Sequence, residues 1–163
     1  MAATTRTKTS EDALVITRNF DAPRERVWKA WVNPEQAKKW WGPKDFTAPA
    51  FETDPRVGGK YLACMRGPDG KDYWSTGVYR EVVPNEKLVM TDSFADAKGN
   101  RIPASEYGMS GDWPAELLVT VTLDENNGKT KLTLQHEGLP EEAREMCAQG
   151  WNESLDKLEN SLK

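Results

Sequence analysis

The chain has 163 residues, of which 37% are hydrophobic and 29% charged, and its formal net charge is -4. That length suits one domain with a real core, and the composition is that of a folded chain rather than a disordered one. The mild acidity and the lack of a basic cluster argue against nucleic acid as a partner, and no apolar run approaches a membrane span.

The first stretch, "MAATTRTKTSED", has no hydrophobic segment and therefore no secretory signal. It reads as a disordered tail over residues 1–12, leaving one domain over 13–163. "LVITRNF" (14–20), rich in β-branched residues, predicts the first strand. "DAPRERVWKAWV" follows, with Pro23 in the first turn of a helix and Val27, Trp28 and Trp31 at helical spacing. "NPEQAKKWW" predicts a second short helix, with Asn33 as cap, Pro34 at its first position and Gly42-Pro43 as its stop.

From 44 to 137 the chain reads as a meander of strands. "DFTAPAFETD" carries Pro49, which places it at a sheet edge or a bulge. "GGKYLACMRG" and "DYWSTGVYREVV" are joined by the turn "PDG", and "PNE" leads into "KLVMTDSF". "ELLVTVTLDE" and "KTKLTLQHE" flank "NNG", a strong hairpin signal, with leucines and valines alternating against threonines. The irregular stretch 95–115 contains Tyr107, Met109 and Trp113, which favours a lid over a spacer.

"LPEEAREMCAQGWNESLDKLENSLK" predicts one long helix of roughly 34 Å, opened by Pro140. Its apolar stripe runs through Ala143, Met146, Cys147, Gly150, Trp151, Ser154, Leu155, Leu158 and Leu162. The assembly is α+β: about seven antiparallel strands curled around a C-terminal helix, with two short helices between strands one and two. Such a grip cannot close along its whole length and tends to leave an internal cavity.

Several chemistries are struck out by motif. The sequence has no P-loop, no G-x-G-x-x-G, no G-x-S-x-G and no C-x-x-C. One histidine and two distant cysteines give no metal site, and no cofactor is expected. Cys64 and Cys147 read as small hydrophobes in a reducing, cytoplasmic setting.

His136 continues the parity of Leu132 and Leu134; it either serves a ligand as a polar or proton-shuttling group, or closes the strand end on backbone near Gly138. Asp92 shares the parity of Leu88 and Met90. Facing inward it would be a candidate general base; facing outward it is a solvated charge. These two are the catalytic candidates. Seven tryptophans are the larger signal. Trp31, Trp41, Tyr61, Trp74, Met90, Met109, Trp113, Met146 and Trp151 are core residues or the apolar lining of a small-molecule site.

"FDAPRERVWKAWVNPEQAKKWWGP", "DPRVGGKY", "GVYREVVPNEKLVMTDSF", "WPAELLVTVTL", "GKTKLTLQHEGLP" and "GWNESLDKLENSLK" together resemble the domain of the activator of heat-shock-protein-90 ATPase homologue. That family lies within the START-like, polyketide cyclase (SRPBCC) superfamily, and the likeness runs from about residue 13 to 162. It implies a helix-grip fold in which "WWGP" seals one end of the groove. It also implies binding of a small apolar or amphipathic molecule, in a stress- or resistance-related role. The alternatives are an enzyme of cyclase or hydrolase type using His136 or Asp92, and a protein–protein module, including a homodimer. In the eukaryotic activator, chaperone activation depends on a separate N-terminal domain, and the residues before Leu14 offer no counterpart. A chaperone partner is therefore not expected.

Overall fold

The computed structural model describes residues 5–9 (as backbone), 13–109 and 111–163. Eight strands form one antiparallel sheet in the order β1-β2-β8-β7-β6-β5-β4-β3. They are β1 (Thr5–Thr9), β2 (Ala13–Phe20), β3 (Thr47–Thr53), β4 (Lys60–Arg66), β5 (Asp72–Val83), β6 (Lys87–Ala95), β7 (Leu117–Asn126) and β8 (Lys129–Glu137). Helices α1 (Arg24–Val32) and α2 (Pro34–Ala37) link β2 to β3, and α3 (Arg144–Ser161) ends the fold. Because β2 and β3 stand on opposite sides of the sheet order, the helix pair bridges strands that never meet. This is the helix-grip architecture.

One strand was not expected. Residues 5–9, read as part of a disordered tail, pair with β2 in the register Thr5↔Arg18 to Thr9↔Leu14. "TRTKT" has no apolar alternation to announce it; the free edge of β2 supplies backbone partners instead. The remaining tail residues, 1–4 and 10–12, lie outside the described ones. The C-terminal segment also departs from one continuous helix. Glu141–Ala143 form a single 3-10 turn before α3 begins at Arg144.

Period-two alternation sorts the sheet into two faces. Leu14, Ile16 and Phe20, Leu117 to Leu123 on alternate positions, and Leu132 and Leu134 are all buried on the inner face. Leu155, Leu158 and Leu162 of the C-terminal segment join them in one core. The Asn127-Gly128 turn between β7 and β8 takes positive φ at both residues (55° and 75°), as a two-residue hairpin requires. Pro49 sits in the register shift of the edge strand β3, where no ladder bond is lost.

Two further expectations need correction. Met146, placed in the apolar stripe of α3 and in the ligand lining, is 53% exposed. Met146 lies nine residues before Leu155 within the same helix, about two and a half turns at 3.6 residues per turn, so it faces away from the buried stripe through Ala148, Ser154, Leu155 and Leu158. Trp74 pairs in register with Cys64, and Tyr61 pairs with Gly77. Alternation therefore puts Trp74 on the face opposite Tyr61, away from α3.

Candidate functional site

Trp40 and Trp41 occupy the corner where α2 ends, and the fold uses them differently. The Trp40 indole N–H donates to the Ala30 carbonyl at 2.9 Å, so a fully buried ring ties α2 to α1. Gly42 follows at φ 98° and turns the chain away. Trp41 points inward, with ring centroids 5.1 Å from Phe51, 6.4 Å from Tyr61 and 6.0 Å from Trp151. Trp31 completes the group, 4.6 Å from Trp40 and stacked at 6.1 Å on Trp151. Its own indole nitrogen is buried and has no hydrogen-bond partner among the described residues. Buried donors are normally satisfied, so this unspent N–H is unusual.

Two members of this aromatic box carry polar tips, and both tips converge on one place. The Tyr61 hydroxyl lies 3.2 Å from Asp92 Oδ1 and 3.1 Å from the Thr91 carbonyl. The Trp151 indole N–H donates to His136 Nδ1 at 3.0 Å. His136 Nε2 in turn lies 3.1 Å from Asp92 Oδ2. An indole nitrogen can only donate, so Nδ1 is the acceptor and the ring proton sits on Nε2, aimed at Asp92. The result is an unbroken chain Trp151–His136–Asp92–Tyr61, linking α3, β8, β6 and β4.

Asp92 thus follows the inward parity of Leu88 and Met90, and His136 bonds side chains rather than backbone near Gly138. The Asp92 side chain keeps 25% exposure while that of His136 keeps 7%. Electrostatics around them follow from burial and from the carboxylate. Burial, reinforced by the Asp92 charge, pushes the Tyr61 phenol well above its usual range, which keeps it a donor. The Cys147 thiol is pushed up to about 11 by burial and then by Asp92, so this half-buried cysteine shares the site.

A backbone feature makes the chain of contacts reachable. A Cβ on Gly77 would stand 1.9 Å from the Thr91 carbonyl oxygen and 2.6 Å from Tyr61 Cε1. Only glycine lets the Tyr61 ring cross β5 and reach β6. Nearby, the register shift between Tyr79 and Glu81 is closed by the Thr91 hydroxyl, which accepts from the Val78 amide at 2.8 Å.

The other candidates are distributed around this centre. Met90 is buried on the inner face, opposite Tyr79 in register. Trp113 packs edge-on against Phe94 at 5.2 Å, and Tyr107 lies 5.9 Å from the same ring. The Tyr107 hydroxyl also donates to the Ala95 carbonyl, so the expected lid is pinned to the sheet by two rings. Met109 is half-buried in that loop. Phe51, Phe94, Cys147 and Gly77 belong to the site but were not singled out by sequence. A glycine inside the strand pattern "STGVYREVV" was the one available signal for a close approach.

Comparison with known proteins gives the fold its family. The sequence model described as "Activator of Hsp90 ATPase homolog 1-like protein" matches residues 21–163. The chain belongs to this family. Among solved structures, a Chromobacterium violaceum protein is 30% identical with a TM-score of 0.78, covering 94% of this chain and 98% of its own. An Arthrobacter aurescens protein solved by NMR is 29% identical with a TM-score of 0.80, over 96% and 90% of the two chains. The protein titled AHSA1 from Silicibacter pomeroyi is 25% identical with a TM-score of 0.74, over 92% and 96%. Comparison with the curated proteins gives no match. Among the described residues of this AHSA1-like chain, no helix is long and apolar enough to cross a membrane.

Proposed function

We propose that the domain binds a small amphipathic molecule in the groove between the inner sheet face and α3. The observation that carries this reading is the convergence of the Tyr61 and Trp151 tips on the Asp92–His136 pair, with their rings forming an apolar wall behind it. Small-molecule sites have this form: mostly apolar surface with a few placed polar groups. The free thiols of Cys64 and Cys147 fit a reducing, cytoplasmic setting. A second reading, acid–base chemistry, draws on the 3.1 Å His136–Asp92 contact. With Nδ1 engaged by Trp151 and Nε2–H by Asp92, the histidine has no lone pair to offer a substrate. Asp92 would then be the reacting base and His136 a positioning residue.

The test is intrinsic tryptophan fluorescence against a library of small apolar and amphipathic compounds, with thermal unfolding measured in parallel. A native-state binder at a hundredfold its Kd raises stability by about 2.7 kcal/mol. The reading expects hits that both shift emission and raise the unfolding temperature. Hits that stabilise without touching the fluorescence of the Trp31–Trp41–Trp151 group, or no hits at all, contradict it.

A further inference from the structure

We propose that the molecule bound in this groove is a cationic amphiphile, an ammonium group on an apolar or aromatic body, with Asp92 as its counter-ion. The inference rests on the binding reading above and names its ligand class.

The argument begins with the charges that face the groove. Asp92 accepts from two neutral donors, the Tyr61 hydroxyl and His136 Nε2–H, and no lysine or arginine pairs with it among the described residues. Two cations of the surrounding elements are occupied elsewhere. Arg18, on the inner face of β2, pairs with Asp156 at 2.7 Å. Lys157, on α3, donates to the carbonyls of Pro43 and Phe46 at 3.1 and 3.0 Å. Tyr61 and Cys147 hold their protons, and Trp151 fixes the one ring proton of His136 on Nε2. Among the described residues, then, no cationic side chain is paired with the Asp92 carboxylate.

That carboxylate is stable as it stands because a quarter of its side-chain surface still meets water. Any ligand that fills the groove removes this water. A neutral hydrocarbon would bury a carboxylate with no counter-ion, which is strongly unfavourable. A fatty acid would add like-charge repulsion. An ammonium replaces the lost water with a charge-assisted hydrogen bond.

A matched trio separates the possibilities: phenylpropylamine, phenylpropanol and phenylpropionate, titrated by calorimetry into the full chain at neutral pH. The expected order is amine tightest and carboxylate weakest, with the amine favoured over the alcohol by about tenfold to a hundredfold. In the Asp92→Asn variant that preference shrinks to within about threefold. Equal or tighter binding of alcohol or carboxylate by the native chain overturns the inference and leaves the binding function standing. So does an amine preference that survives in Asp92→Asn. The comparison within the native chain does not depend on the variant folding. If none of the three binds, both the inference and the binding function for this class of molecule fail.

Discussion

Replacing Trp151 by Phe removes one hydrogen-bond donor while keeping a ring in the stack on Trp31. The lost bond is the 3.0 Å donation to His136 Nδ1. His136 is 5% exposed, so its nitrogen is left as a buried acceptor without its partner. Leaving such a group unpaired costs about 1–3 kcal/mol. For a chain of this size each kcal/mol corresponds to about 2–4 °C in Tm, so unfolding should come about 2–12 °C earlier. The sharper readout is nitrogen NMR of the imidazole, unambiguous because the sequence has a single histidine. In the native chain Nδ1 should resonate as a hydrogen-bonded acceptor and Nε2 as the protonated nitrogen. In Trp151→Phe the Nδ1 signal should move and exchange between the two tautomers should appear. A native spectrum with the proton on Nδ1 would refute the whole relay, since two donors cannot face each other.

Gly77→Ala forces a methyl against the Thr91 carbonyl and the Tyr61 ring, and backbone cannot yield as a side chain can. Overpacking of this kind costs about 1–3 kcal/mol or more, and Tyr61 should lose its contact with Asp92; a Tm unchanged within about 1 °C would contradict the geometry. On α3, Met146→Lys should change stability by less than about 0.5 kcal/mol, whereas Leu155→Ala, fully buried, should cost about 2–5 kcal/mol in urea unfolding. At alkaline pH the thiols of Cys64 and Cys147, raised from 9.0 to about 11, hold protons that the unfolded chain has already released. Stability is therefore complete below about pH 9 and falls as pH rises toward 11, with Tyr61 and Tyr79 extending the loss further. Replacing both cysteines by alanine should flatten the first part of that descent; an unchanged slope would count against the buried thiols as its origin.

Most strands and the helix placement were legible because alternation and turn chemistry agree along most of the chain. "NNG" and the Leu/Val–Thr pattern name β7 and β8 without ambiguity, and Asn33-Pro34 names the start of α2. What stayed hidden depends on partners distant in sequence. β1 has no pattern of its own and forms because β2 offers an edge. The face of Asp92 could not be decided within "KLVMTDSF", since its hydrogen bonds come from residues 31 and 44 positions away. Trp74 and Trp41 look alike in sequence; only the pairing of β4 with β5 turns the first away from the groove. Met146 is a different case: helical spacing alone sets it about half a turn from Leu155, so its exposure could have been read from the sequence.

The central claim, that the inner groove is the binding surface, is tested most directly by the seven indole N–H signals in a nitrogen–proton spectrum. Titrating the best compound from the fluorescence library should move Trp151, Trp31 and Trp41 and leave Trp74, on the opposite face, where it was. Movement of Trp74 alone, or of no indole despite measured binding, would place the ligand elsewhere and contradict the account.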